Sequence, residues 1–545
     1  MAAEKDDWVA RTAAEVIALA EERYPGETPT CASGISPSGN VHLGNLRELM
    51  TPHLVADEIR RMGRPCRHIL SWDDYDRFRR VPQGLGLPES FSEQVGRPLT
   101  SVPDPVGDCH PNWAEHFKAP LREALDKLGV RVTEISQTQM YTSGAYAEQI
   151  ITAMRRRAEI GAVIRRYQTK KTEVDDEERQ SEYFPFKPYC ATCGRDNTTV
   201  TAFDDDTTEI TYTCACGAAH GPTPITQVAG KLVWKVDWPM RWAYEHVTFE
   251  PAGVDHSSPG SSYSVGEHLV QEIFGGKMPL HFQYSFVGTS GQAKMSSSTG
   301  GAPTPLDALE IFEAPLLRWL YARKRPSESI TLAFGDEVGR VYDEWDALTR
   351  KVADDTALSA QAAIYTRSAT TADGKLPQTE HTVAFRTLAS IFDITAGDEE
   401  QELRIVRDLS PETPIATLDQ VRPRLDCAQA WVTEYVPAAD RTRVREQADA
   451  ALLGSLGEED RQALKLLADG MAKDWSLDGL TTLLYGIPKL TRGMPISALP
   501  TPELKTAQRG WFILLYRLLI GKDTGPRLPT LLLALGQEKV RSLIA

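Results

Sequence analysis

No run of about 18 consecutive apolar residues occurs in the 545-residue chain, so a membrane span is not expected. The longest apolar stretch, Trp511 to Ile520, is interrupted by Arg517 and reads as an amphipathic core helix. Positive charge is also in deficit: 60 Lys and Arg stand against 75 Asp and Glu, a formal net charge of −15. That balance excludes a protein that grips nucleic acid with its whole surface. A phosphate-bearing partner must be met by local basic patches instead. The candidates are Arg60, Arg61 and Arg64; Arg77, Arg79 and Arg80; Arg155 to Arg157; Arg165 and Arg166; and Lys170 and Lys171. The polar start, Met1 to Asp7, has no apolar signal core, so a cytoplasmic location is expected. Cysteine is scarce. Of eight, Cys31, Cys66, Cys109 and Cys427 are scattered singly, as small buried hydrophobes usually are. No internal repeat is present. The 41% hydrophobic content suffices for ordinary cores, and the length predicts several domains.

Helical spacing over residues 11–23 is followed by a strand pattern at 28–35, a turn of small residues, a helix from His42 to Met62 and a strand from Pro65 to Trp72. Strand, turn, helix, strand is the start of a parallel α/β sheet. Helices are expected at 112–129 and 145–163, with a strand at 130–136 between them. Strands at Leu232–Val236 and Phe282–Val287 are expected to return to the sheet. A helix is expected over 336–360 and a loop over 366–375. From 380 onward, leucines such as Leu453, Leu464, Leu467, Leu483, Leu484, Leu514, Leu515, Leu518 and Leu532 recur at helical spacing, which predicts an all-α region.

Three segments carry chemistry. The first, Pro37-Ser38-Gly39-Asn40-Val41-His42-Leu43-Gly44-Asn45, follows a strand and opens a helix, where free N–H groups and a positive helix end face a phosphate. His42 and Asn45, three apart, share a face. Gly44 has no Cβ, so a flat base can approach its backbone. The second is Gly291-Gln292-Ala293-Lys294-Met295-Ser296-Ser297-Ser298, far downstream. A loop of serines with one lysine can fold around a polyphosphate and neutralise charge on departing pyrophosphate. The third is Cys190-x-x-Cys193 with Cys214-x-Cys216, twenty residues later. Four thiolates so spaced suit a tetrahedral structural Zn²⁺ site with no open position. His220 is a spare ligand.

His42-Leu43-Gly44-Asn45 and Lys294-Met295-Ser296-Ser297-Ser298 resemble, in order, the two nucleotide signatures of class I aminoacyl-tRNA synthetases. Ala32 to Gly39, Trp72 to Asp76, Trp234 to Trp242 and Gly253 to His256 resemble the class I lysyl-tRNA synthetases in particular. The resemblance runs from about residue 30 to the C-terminus. It implies a Rossmann-type α/β catalytic domain with an inserted zinc module, followed by an all-α domain. The expected divisions are 1–170 and 231–325 for the catalytic halves, 171–230 for the zinc module, 326–380 for a connecting helical region and 381–545 for an anticodon-binding domain. It also implies ATP with Mg²⁺, L-lysine and tRNA(Lys) as partners, with His42, Asn45 and Lys294 as catalytic residues. ATP would meet His42, Gly44, Asn45, Gly253, Asp255, His256, Lys294, Met295 and Ser296. Lysine would meet Gly34, Ser36, Glu48, Trp234, His256 and Tyr284.

One position departs from the family. Its serine loop usually carries another lysine, where this chain has Ser297 and Thr299. Lys294 must then supply most of the neutralising charge. The competing expectations are a class I enzyme for another amino acid, such as glutamate, and an inactive RNA-binding paralogue. Glu48, Asp73 and Asp74 favour a cationic substrate over glutamate.

Overall fold

The computed structural model describes residues 7–82, 85–167, 183–257, 261–289, 302–409, 414–499 and 501–545. They form two compact units. One comprises 1–309, 314–332 and 351–376; the other comprises 310–313, 333–350 and 377–545. Among the described residues no helix is long and apolar enough to cross a membrane.

The first unit is built on a parallel sheet. β1 (Thr30–Ile35) pairs in parallel with β2 (Arg67–Trp72), and β2 with β3 (Thr133–Ser136). On the other side of β1 the segment from Thr248 continues the sheet. Ala32 N–H donates to the Phe249 carbonyl at 2.8 Å, and Leu280 N–H to the Thr248 carbonyl at 2.8 Å. Ala252–Gly253 then pairs in parallel with Gln283–Tyr284. The order is thus β3, β2, β1, then the 248–253 segment, then the 280–284 segment. The chain leaves β1 in opposite directions, which opens a crevice at the strands' carboxyl ends.

α1 (Trp8–Arg23) is capped by Asp7, whose carboxylate accepts from Ala10 N–H at 3.2 Å. α2 (Leu43–Arg61) crosses from β1 to β2 and buries Leu46, Leu49, Met50, Leu54, Val55 and Ile59. α3 (Trp113–Lys127) is capped by Asn112 and buries Trp113, Phe117 and Leu121. Its placement follows from apolar residues three and four apart.

Five expectations change. The helix expected over 336–360 ends at Ala353, and another begins at Ser359. Leu232–Val236 is not a sheet strand. Gly230–Leu232 pairs antiparallel with Phe186–Pro188, and a helix begins at Trp234 and runs to Tyr244. Trp234, Trp238 and Trp242 recur every four residues, a helical period that outweighs the strand preference of aromatics. The segment that does return to the sheet is 248–253. Phe282–Val287 is two short strands, Gln283–Tyr284 and Val287–Thr289, the latter paired with Ile330–Leu332. The helix at 145–163 is two helices, Ala147–Arg155 and Arg157–Arg166. The loop at 366–375 is the end of helix Ser359–Ala369 and a hairpin of Thr370–Thr371 with Gly374–Lys375.

The second unit carries no strand among its described residues. Leu467, Leu480, Leu484, Leu515, Leu518, Leu531 and Leu532 form its core, with Leu453 and Leu483 packed against it. Arg424, buried, is held by Glu313 at 2.8 Å and Asp346 at 2.9 Å.

The tryptophan helix is held against the helix Ser262–Glu272 at a glycine. A Cβ on Gly266 would lie 2.7 Å and 2.8 Å from ring atoms of Trp242. Helix propensity favours alanine there by about 1 kcal/mol. Overpacking against a rigid, fully buried indole costs about 1–3 kcal/mol, so the clash wins. Gly266→Ala is therefore expected to lower the melting temperature by a few degrees, roughly 2–4 °C per kcal/mol, in a thermal scan.

Candidate active site

A cavity of about 440 Å³ opens at the carboxyl ends of β1, β2 and the 248–253 segment. Gly34, Ser36, Glu48, Trp234, His256 and Tyr284 all line it, as do Asn45 and Gly253. Residues separated by more than two hundred positions meet because Gly34, Ser36, Gly253 and Tyr284 end or follow strands of one parallel sheet, while Glu48 and Trp234 line the cavity from the helices Leu43–Arg61 and Trp234–Tyr244.

His42 is the N-cap of α2. Its N–H donates to Asn45 Oδ1 at 3.2 Å, and Asn45 N–H donates to the His42 carbonyl at 2.9 Å. A Cβ on Gly44 would sit 2.8 Å from His42 Cε1 and Nδ1. The space that bare backbone leaves is thus filled by the His42 ring itself. Lys294, Met295 and Ser296 lie outside the described residues, as do Lys170, Lys171 and the side chain of Asp255. The chain that follows the serine loop returns to α2, where Leu43 N–H donates to the Pro303 carbonyl at 3.0 Å.

Glu48 lines the cavity from α2. Its Oε1 accepts from Gly34 N–H at 3.2 Å, and Tyr284 hydrogen-bonds it. Burial, with the Glu250 and Asp73 charges adding, pushes Glu48 up to about 8. Asp73 and Asp74, adjacent in sequence, diverge. Asp73 faces the cavity and pairs with Arg241 at 2.6 Å. Asp74 turns inward to Lys118 at 2.7 Å and caps the helix Gln137–Thr142 by accepting from Thr138 N–H at 2.8 Å.

The tryptophans are a wall. Trp234 and Trp238 stack at 5.0 Å with an interplanar angle of 20°, and His256 stands edge-on at 6.0 Å from Trp238. Both Trp234 and Trp238 line the cavity, and so does Trp242.

Sequence reasoning missed Glu250. It is 7% exposed, lines the cavity and accepts from Trp238 Nε1 at 3.1 Å and Trp242 Nε1 at 2.6 Å. Burial pushes it up to about 7, against the two indole donors. The only sequence hint was the need of two buried indole N–H groups for an acceptor. Arg241, also missed, joins Asp73 to Asp237.

Among the described residues, two clusters could hold a metal ion. Cys190, Cys193, Cys214 and Cys216 close on one another in the module of β-strands Thr198–Phe203, Glu209–Cys214 and Ala219–Pro224. Cys190 Sγ lies 3.8 Å from Cys216 Sγ, and Cys193 Sγ 3.7 Å from Cys214 Sγ. All four sulfurs lie within 4.8 Å of one another, and the two pair distances match the roughly 3.8 Å edge of a tetrahedron with Zn–S of about 2.3 Å. His220 Nε2 lies 3.3 Å from Cys190 Sγ, beside the four rather than among them. The second cluster joins Asp104, Cys109, His110 and His116. Cys109 Sγ is 3.1 Å from Asp104 Oδ2 and 3.0 Å from His110 Nδ1, and His116 Nδ1 is 3.1 Å from Asp104 Oδ1. Sequence reasoning took Cys109 as a lone thiol. The groups beside it are Asp104, five residues earlier, and His110 and His116, within the next seven, a pattern of mixed donors.

Several basic clusters are occupied internally. Arg61 pairs with Asp57, Arg156 with Glu159, Arg157 with Asp205 and Arg77 with Asp196. Arg79 lines the cavity.

Comparisons with known proteins identify the family. The family of class I (K) tRNA synthetases matches residues 6–371. A lysine–tRNA ligase of Streptomyces coelicolor is 56% identical, covering 99% of this chain and 98% of its own. One from Thermococcus kodakarensis is 33% identical, with 96% of each chain covered. Among solved structures, a glutamate tRNA ligase from Elizabethkingia meningosepticum aligns with a TM-score of 0.45 at 12% identity, over 95% of this chain and 98% of that one. The chain belongs to the class I (K) tRNA synthetases.

Proposed function

We propose that the chain is a lysine–tRNA ligase, which activates L-lysine with ATP and transfers it to the 3′-terminal adenosine of tRNA(Lys). The observation that carries this reading is the cavity. It joins an aromatic wall, suited to a four-carbon stem, to carboxylates suited to ammonium groups, beside the N-terminus of α2. The full-length relatives named as lysine–tRNA ligases support the same substrate. A glutamate side chain would place a second anion among Glu48, Asp73 and Glu250.

In the first step a lysine carboxylate oxygen attacks the α-phosphorus of ATP. The bond to the bridging oxygen breaks, and pyrophosphate leaves with its electron pair. In the second step the terminal 2′-hydroxyl attacks the adenylate carbonyl, and AMP leaves. No protein nucleophile is required, so the chain's contribution is positioning and charge stabilisation. Asn45 fixes the turn that presents His42 to a phosphate oxygen. Lys294 supplies the cation for the leaving pyrophosphate, and the Leu43–Pro303 hydrogen bond ties its loop's flank to the same helix end. Gly253, Asp255 and His256 are assigned to the adenylate. Mg²⁺ entering with ATP supplies further neutralisation. The four cysteines hold a structural Zn²⁺, and the mixed cluster at Asp104 suits a second divalent ion. The helical second unit serves as the anticodon-binding domain, and a cytoplasmic location fits the whole.

ATP–pyrophosphate exchange is expected to depend on lysine among the twenty amino acids. Exchange driven by another amino acid overturns the assignment, and tRNA binding without any exchange marks an inactive paralogue.

Metal analysis of the purified protein is expected to find close to two divalent transition-metal ions per chain. Cys193→Ser should remove one and His116→Ala the other; a content unchanged by either substitution dismisses that cluster.

The raised Glu48 makes the ligand-free fold favour the neutral carboxyl. Its stabilisation is complete below the unfolded value of about 4.5 and is lost as pH rises to about 8. Ligand-free protein should therefore melt progressively lower from pH 5 to pH 8. Glu48→Gln should flatten that decline, raising the melting point at pH 8 by about 3 °C. An unchanged slope removes Glu48 as its source.

A further inference from the structure

Two buried thiols meet at the amino ends of the first two sheet strands. Cys31 lies in β1 and is wholly buried; Cys66, 8% exposed, immediately precedes β2. They are thirty-five residues apart in sequence, yet their Sγ atoms lie 3.8 Å apart. Strand register brings them together. β1 and β2 run parallel, with Ser33 opposite Leu70 and Cys31 opposite His68. Ser33 Oγ meets His68 Nε2 at 2.9 Å, along a diagonal two residues long. Cys31 and Cys66 stand on the same diagonal, two residues earlier in each strand, and residues two apart share a face. Ser33 Oγ also donates to the Glu48 carbonyl at 3.3 Å, so this is the face that α2 covers. Neither thiol lines the cavity or belongs to a metal cluster, and no step of the reaction uses them.

The two cysteines differ in freedom. Cys31 is fixed from both sides, opposite His68 in β2 and bridged to Phe249. Cys66 closes an exposed turn over residues 62–65, which passes through Gly63 at a φ of +76°. A disulfide has S–S of about 2.05 Å, so the sulfurs must approach by about 1.8 Å, and the turn at Cys66 can supply that movement. The hydrogen bond between the thiols holds Cys66 below the ordinary thiol range and pushes Cys31 up. Cys66 is therefore the attacking sulfur and Cys31 the resolving one. We propose that Cys31 and Cys66 form a reversible dithiol–disulfide couple, oxidised by hydroperoxides, that staples together the ends of the strand–helix unit carrying His42 and Asn45. Cys66 thiolate attacks the terminal peroxide oxygen, the O–O bond breaks, and water leaves a sulfenic acid. Cys31 sulfur then attacks the Cys66 sulfur; the S–O bond breaks, and the departing hydroxide takes the Cys31 proton as water. Two thiols and one hydrogen peroxide give one disulfide and two waters. The sulfurs lose two electrons and the peroxide gains them. A thiol reductant reverses the bond by exchange.

The test uses the full-length protein and a small molar excess of hydrogen peroxide. Remaining thiols are alkylated under denaturing conditions and the peptides mapped by mass spectrometry, before and after dithiothreitol. The Cys31 and Cys66 peptides should appear as one linked species that dithiothreitol separates. If both stay alkylatable, or if Cys66 proceeds to sulfinic acid while Cys31 stays free, the proposal is overturned. Thermal scans of the same samples test the staple. A cross-link that encloses so long a segment should raise the melting temperature of oxidised wild type by about 3–6 °C. Peroxide should give no such rise in Cys66→Ser, where oxidation within the four-cysteine module acts as it does in wild type. A linked protein that melts no higher than its reduced form refutes the staple. If Cys66→Ser does not fold, wild type re-reduced with dithiothreitol supplies the comparison.

Discussion

Arg241 is the tie on which the site depends. From within the tryptophan helix it reaches Asp73 at the end of β2 and Asp237 on its own helix, while Lys231 approaches Asp76 and Asp237. Tyr141 donates to Asp237 at 2.5 Å and accepts from Leu232 N–H at 3.2 Å. Asp237 is fully buried and Arg241 only 6% exposed. Removing one member of such a buried network strands a charge, at roughly 3–5 kcal/mol, whereas the intact network adds little net stability. Its value is placement. It fixes the azimuth of the helix, so that Trp234, Trp238 and Trp242 turn toward the sheet and close one side of the cavity.

Charge in the cavity is apportioned accordingly. The acids that build the site are neutralised by the protein's own cations, and those facing the ligand are held by uncharged donors. A buried carboxyl bonded to a peptide or indole N–H, with no cation beside it, is free to take up its charge when a cationic ligand arrives, whereas a salt-bridged one is already neutralised.

The two candidate metal clusters bear on stability rather than on the cavity. The cysteine module has short strands and only a few buried apolar residues, among them Ile210 and Tyr212. A small β-module of that kind is poorly stabilised by its own core and gains from a metal crosslink. The Asp104 cluster lies in a stretch of turns ahead of α3, and a metal there would do the work that regular hydrogen bonding cannot.

Motif chemistry and periodicity were local and therefore legible. His42, Asn45 and Glu48 lie within the first two turns of a helix that follows a strand, the four thiols were marked by their spacing, and the helical second unit by leucines three and four apart. What stayed hidden depended on neighbours distant in the chain. The strand expected at Leu232–Val236 overlaps the start of the tryptophan helix, whose four-residue period shows only over the longer span from Trp234 to Trp242. The true sheet segment, 248–253, is too short to show alternation. Glu250 could not be told from any other acidic residue, since its meaning comes from two indoles eight and twelve positions earlier that reach it only once the helix packs on the sheet. Sequence alone thus determined which chemical groups are present and which backbone each favours. Tertiary structure decided which carboxylates are neutralised and which are left for a ligand, because pairing is settled by distance in space, and distance is set by packing.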